Sequence, residues 1–114
     1  NLEHMNTLRN KVQLIGNLGN DPEIVNLESG KTLAKFSVAT NESYKNAQGE
    51  KVTDTQWHNI VAWGKTAQII EKYVGKGKEV AIEGKLTTRS WEDKDGVKRY
   101  TTEVVCSELL MLGK

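Results

Sequence analysis

Five stretches of alternating apolar and polar residues, one stretch with apolar residues at helical spacing between the third and the fourth, and Gly- and Asp-containing turns between strands predict an all-β fold. That element order is the order of a five-stranded, partly open Greek-key barrel, the OB-fold, with one short α-helix between strands three and four. The chain has 114 residues, enough for one small barrel core and too few for two independent ones. Residues 5–114 are therefore read as one domain, and Asn1-Leu2-Glu3-His4, standing before Met5, as an expression-vector scar.

From Lys11 to Asn20, Val12, Leu14, Gly16 and Leu18 alternate with Gln13, Ile15, Asn17 and Gly19, which predicts a bent first strand closed by Asp21-Pro22. Glu23 to Leu27 reads as a short extended segment, and Glu28-Ser29-Gly30-Lys31 as a tight turn. In the second strand, Thr32 to Thr40, Ala34, Phe36 and Val38 share one face while Lys35, Ser37 and Ala39 share the other. Asn41 to Asp54 lacks apolar periodicity and is expected to be a projecting loop. The third strand, Thr55 to Trp63, sets Trp57, Asn59, Val61 and Trp63 against His58, Ile60 and Ala62.

Ala67, Ile69, Ile70, Tyr73 and Val74 predict a helix over Thr66 to Val74, stopped by Gly75-Lys76-Gly77. The fourth strand alternates Val80, Ile82, Gly84, Leu86 and Thr88 with Ala81, Glu83, Lys85, Thr87 and Arg89 and runs into Trp91. Asp93-Lys94-Asp95-Gly96 turns the chain into a fifth strand, in which Tyr100, Thr102, Val104 and Cys106 alternate with Arg99, Thr101, Glu103 and Val105. A last apolar segment runs from Leu109 to Leu112.

Composition narrows the function classes. Charged residues make up 27% and hydrophobic residues 37%, which points away from disorder and towards a soluble globular protein. Sixteen Lys and Arg against fifteen Asp and Glu give a net charge of +1, so the placement of cations matters more than their sum. No apolar run approaches the roughly 18 residues that span a bilayer, and no signal-peptide pattern is present; a cytoplasmic, nucleoid-associated location without membrane contact is expected. The single cysteine, Cys106, lies in an apolar run and is expected to be a buried, reduced thiol.

The functional signal is aromatic. Trp57 and Trp63 lie on the face opposite Ile60, and Trp91 and Tyr44 lie near hairpin loops. Each alone is ordinary; four together with basic neighbours make stacking platforms, and a base stacked on an aromatic ring is worth roughly 1–3 kcal/mol whatever its identity. Arg9, Lys11, Lys35, Lys45, Lys65, Lys76, Lys85, Arg89 and Arg99 are the candidate phosphate contacts. No Gly-rich phosphate loop and no metal-ligand spacing occur, so neither an enzyme nor a metal or other cofactor is expected.

The runs Asn10-Lys11-Val12, Ile15-Gly16-Asn17-Leu18-Gly19, Asp21-Pro22-Glu23, Trp63-Gly64-Lys65, Ile82-Glu83-Gly84, Thr88-Arg89 with Trp91, and Arg99-Tyr100-Thr101-Thr102-Glu103-Val104 closely resemble bacterial single-stranded DNA-binding proteins. The resemblance covers Asn10 to Gly113. It implies non-specific binding of single-stranded DNA during replication, recombination and repair, with Tyr44, Trp57, Trp63 and Trp91 at the family's stacking positions. Tyr44 stands where Trp is frequent, Trp63 where Phe is frequent and Asn59 where Arg is frequent. It also implies a homotetramer with His58 near an interface; read from its residues alone, His58 is a hydrogen-bonded histidine within a sheet.

Family members commonly continue into a Gly/Pro/Gln-rich linker and an acidic tip that recruits replication and repair proteins. Such partners are not expected of the residues up to Lys114. A related replication-restart accessory protein and an RNA-binding cold-shock module are the competing readings. Retention of all four aromatic positions argues against the first, and the absence of aromatic-rich early strands against the second.

Overall fold

The period-two alternation becomes backbone pairing in the computed structural model, which describes residues 8–113. The four residues read as a vector scar lie outside the described residues. After a single 3₁₀ turn over Leu8–Asn10 come β1 (Val12–Leu18), β2 (Glu23–Asn26), β3 (Thr32–Lys45), β4 (Lys51–Trp63), α1 (Gly64–Tyr73), β5 (Glu79–Glu92) and β6 (Lys98–Met111). The sheet order is β1-β5-β6-β4-β3-β2, and a further pairing of β1 with β3 closes β1, β5, β6, β4 and β3 into a barrel. This is the OB-fold that the element order predicts. β2 is added on the edge of β3, and α1 joins β4 to β5.

All pairings are antiparallel except β4 with β6, where Ile60–Ala62 lie parallel to Val104–Cys106. The core gathers the inward side chains of each strand: Leu18, Phe36, Val38, Ile60, Val80, Ile82 and Val104, with Ala67 and Ile70 from the inner face of α1. Ile60 and Ile70 are fully buried, so the helix is held by packing rather than by its ends. It begins two residues earlier than the periodicity predicts, at Gly64, and its last turn closes with the Val74 N–H donating to the Ile70 carbonyl at 3.0 Å.

Closure demands a close approach. A Cβ on Gly16 would run into the carbonyl oxygen of Ala39, and β1 pairs with β3 at Asn17↔Ala39 and Leu18↔Val38. Gly16 is thus the residue that lets β1, still paired with β5 at Gly16↔Val80 and Asn17↔Glu79, approach β3 on its other edge.

Three sequence expectations change. The stretch from Asn41 to Asp54 is not a loop: β3 and β4 pair without a break from Leu33↔Trp63 to Lys45↔Lys51, leaving only residues 46–50 as the turn. Asn46 makes that turn, its Oδ1 accepting the N–H groups of Gln48 and Glu50 at 3.0 Å each. No apolar period marks this hairpin because both of its faces meet solvent. Glu23–Asn26 is a paired strand rather than merely extended. Leu109 to Leu112 is not separate either: β6 runs on to Met111 after a bulge opposite Glu83 and Gly84, pairing Leu109 with Ile82 and Leu110 with Ala81.

Cys106 is buried, as expected, and burial pushes its thiol up from 9.0 to about 11.

Replacing Gly16 with Ala is expected to cost about 1–3 kcal/mol, because the added methyl must push β1 off β3. Urea unfolding followed by far-ultraviolet circular dichroism measures it; an unchanged midpoint would show that the barrel seam can give way freely.

Candidate nucleic-acid interface

Alternation along continuous registers places a long row of side chains on the outside of the barrel. In β3 and β4 that row holds Lys35, Ser37 and Ala39 beside Trp57, Asn59, Val61 and Trp63, because Phe36, Val38, Ile60 and Ala62 point into the core. In β5 and β6, beyond the bulge, Lys85, Thr87, Arg89 and Trp91 share the outer parity with Arg99, Thr101 and Glu103, since Val104 and Cys106 are buried. The two rows meet in an open groove of about 440 Å³ lined by Lys35, Asn59, Val61, Arg89, Thr101 and Glu103 among others.

The three tryptophans stand around this face. Trp57 is 62% exposed, and its ring lies over Gly19: a Cβ there would come within 2.8 Å of the ring's Cη2. The bend that brings Gly19 under the ring is fastened by Asn20, whose Oδ1 accepts the Ser37 N–H at 3.1 Å and the Ser37 hydroxyl at 2.8 Å. Trp91 is 45% exposed and fixed from across the hairpin, its Nε1–H donating to Thr101 Oγ1 at 2.9 Å. Trp63, 44% exposed, ends β4 and occupies the N-cap position of α1 without a side-chain capping bond. Three apolar rings held open to solvent are surfaces in want of a flat partner.

Tyr44 is placed differently. It is half exposed in the β3–β4 hairpin opposite Val52, and it shares the strand parity of Val38 and Thr40. Tyr44 therefore lies on the other side of the hairpin ribbon from Trp57.

The candidate cations divide in the same way. Lys35, Lys85, Arg89 and Arg99 belong to the outer face. Arg89 donates its Nε–H to Glu103 Oε1 at 3.0 Å, and Arg99 donates its Nε–H to Asp93 Oδ2 at 2.9 Å. Each arginine thereby keeps its terminal N–H donors without a hydrogen-bond acceptor among the described residues, while the acid holds the side chain in place. Lys11 pairs with Glu83 at 3.5 Å at the start of β1, and Arg9 is exposed in the 3₁₀ turn. Lys45 ends β3 opposite Lys51 in the hairpin. Lys65 lies in the first turn of α1 and Lys76 just past its end, so both sit beside the helix rather than on the strand face. Asn59 is outward and lines the groove where an arginine would add a charge.

His58 is half-buried, with Nε2 2.9 Å from Thr40 Oγ1. Among the described residues no group of three His, Cys, Asp or Glu side chains is placed to hold a metal ion.

Several positioning residues were invisible in the sequence. Thr101 and Gly19 matter only through partners on other strands. Asp93 looked like a turn residue and nothing more. Its Oδ1 accepts the N–H groups of Asp95 and Val97 at 2.9 Å each, and its Oδ2 holds Arg99. The Val97 N–H first, then Arg99, keep the Asp93 carboxyl below its ordinary 3.8.

The profile of the single-strand binding protein family matches residues 9–112. The chain belongs to this family. A single-stranded DNA-binding protein 1 of Chlorobaculum tepidum is 52% identical over 105 residues, which is 91% of this chain and 65% of that relative. The chain thus spans just under two thirds of that protein's length. The single-stranded DNA-binding protein 1 of Xylella fastidiosa is 45% identical over 106 residues, 92% of this chain and 78% of the relative. Among solved structures, a Plasmodium falciparum SSB in complex with ssDNA superposes with a TM-score of 0.81 at 37% identity, covering 91% of this chain and 95% of that one.

The lowered Asp93 carboxyl stabilises the hairpin in its charged form. Its contribution to the hairpin is present above 3.8 and is lost as pH falls through the lower folded value. A carbon-13 NMR titration is expected to place the Asp93 midpoint under 3.8, and Arg99→Gln to move it upward. A midpoint unaffected by that substitution would remove Arg99 as a cause.

Proposed function

We propose that this chain binds single-stranded DNA without regard to sequence, stacking unpaired bases on Trp57, Trp63 and Trp91, with Tyr44 on the far side of its hairpin as a fourth platform. The observation that carries this reading is the open placement of three tryptophans around one outward face that also holds Lys35, Lys85, Arg89 and Arg99. Stacking tolerates every base because each has a flat π-surface, and the cations follow the phosphates, releasing counterions as they bind. Duplex DNA is excluded because its bases are already stacked inward. Of the other cations read from the sequence, Arg9, Lys11, Lys65 and Lys76 lie off this face and extend the contact at its margins, and Lys45 stands at the tip of the β3–β4 hairpin. The names of the relatives and of the superposed complex support the same reading.

The role that follows is protection of single strands during replication, recombination and repair, in the cytoplasm. A homotetramer fits the surface. The edge of β1 that faces β3 is paired only at Asn17 and Leu18, and Ile15 of that strand and Leu110, in line with it across Ala81, are each more than 60% exposed. An unpaired edge flanked by apolar side chains is a surface that a second copy would cover. His58 pairs with Val38 and bonds Thr40, on either side of the Ala39 that pairs with Asn17, which supports a place for it near the same edge.

Tryptophan fluorescence during titration tests the function. Polythymidine is expected to quench it strongly at low salt and less tightly as salt rises, while duplex DNA leaves it unchanged. Trp91→Ala is expected to weaken polythymidine binding by roughly 1–3 kcal/mol and Lys94→Ala by much less. Equal losses would count against stacking, and quenching by polyuridine as strong as by polythymidine would move the reading towards RNA.

A further inference from the structure

The helix carries its own unpartnered surface. Ala67 and Ile70 point into the core, so Lys65, Ile69, Lys72 and Tyr73 form a stripe on the opposite face at i, i+4, i+7 and i+8. Tyr73 is 63% exposed and Ile69 46%, and a shallow groove of about 330 Å³ is lined by Lys65, Gln68, Ile69, Lys72 and Tyr73. Lys76 follows directly after the helix.

Its electrostatics differ from those of the strand face. Residues 64–78 contain Lys65, Lys72, Lys76 and Lys78 against a single acid, Glu71. Among the described residues no acidic side chain forms an ion pair with the ammonium group of Lys65, Lys72 or Lys76, although Asp21 Oδ1 accepts the Lys76 backbone N–H at 2.8 Å, whereas Arg89, Arg99 and Lys11 are all paired. An exposed aromatic ring flanked by unpaired lysines is the same combination of platform and phosphate contact found around the tryptophans.

This surface follows directly on the strand face along the chain. Trp63 is the last residue of β4 and the N-cap of α1, and Lys65 to Tyr73 is a rise of about 12 Å along the helix. We propose that the single strand, on passing Trp63, continues along α1, with a base stacked on Tyr73 and phosphates held by Lys65, Lys72 and Lys76. The inference rests on the single-stranded DNA reading above and adds a second track to it. An acidic peptide would satisfy the lysines but has no use for the tyrosine's flat face or for the junction at Trp63.

The test compares the intact chain with Lys72→Gln and with the double variant Lys72→Gln/Tyr73→Ala; both positions are exposed, and thermal melts check that the fold is kept. A thymidine oligonucleotide of about 8 residues, too short to cover both surfaces, is expected to bind all three proteins alike. Polythymidine is expected to bind the double variant on the order of 5- to 150-fold more weakly, with fewer nucleotides occluded per chain. Lys72→Gln alone is expected to make the salt slope shallower by about 0.7. Polythymidine carrying 5-iodouracil is expected to crosslink to Tyr73.

Unchanged polythymidine affinity, occluded length and salt slope would overturn the helix track and leave the tryptophan face standing. So would loss of polyglutamate binding in the double variant with polythymidine binding intact, which would assign the surface to an acidic peptide. If the intact chain bound no polythymidine at all, both readings would fall together.

Discussion

The unbroken register between β3 and β4 is the constraint on which the rest depends. From Leu33↔Trp63 to Lys45↔Lys51 the two strands pair residue for residue, and side chains alternate with a period of two. A slip of one residue would send Trp57 and Trp63 towards the core and put Ile60, which is fully buried, into water. The same pairing therefore builds the core and the outward aromatic face. Burial of Phe36, Val38, Ile60 and Ala62 is what holds the register, so the tryptophans are oriented by the hydrophobic effect acting on their neighbours rather than by contacts of their own.

Hydrogen bonds from other strands then refine that face. Thr101 fixes the Trp91 ring, Asn20 fixes the bend that slides Gly19 beneath Trp57, and Glu103 and Asp93 hold Arg89 and Arg99 by their Nε–H groups. These contacts are exposed and individually weak in water. Their value is preorganisation: a ring or guanidinium already in place loses less freedom when a flexible single strand docks. The acids also explain how a chain with a net charge of +1 can present a basic surface, since they sit behind the cations as positioning groups.

Much of this was legible from residues alone because apolar periodicity reports burial. Val12, Phe36, Ile60, Val80 and Val104 each mark a strand that packs on the core, and Ala67 with Ile70 mark the helix. Where burial stops, the signal stops. Asn41 to Asp54 looked like a loop because its strands extend past the core and both faces are wet, although the backbone pairing continues to Lys45↔Lys51. β2 and the end of β6 were undercounted for a related reason: they join the sheet through edge pairing and a bulge, neither of which needs a distinctive side chain.

The sequence by itself determined the order of elements, the inward and outward sets of each strand, and the aromatic and basic residue types available for a ligand. These are local properties, set by side-chain chemistry and a fixed strand period. Which outward residues share a surface was decided only by the tertiary structure. Barrel closure and the bulge at Glu83 and Gly84 join Trp57, Trp63 and Trp91 into one face, set Tyr44 on the opposite side of its hairpin, and separate the unpaired lysines of α1 from the paired arginines of the strands. Those relations depend on contacts between residues far apart in the chain, and no local pattern encodes them.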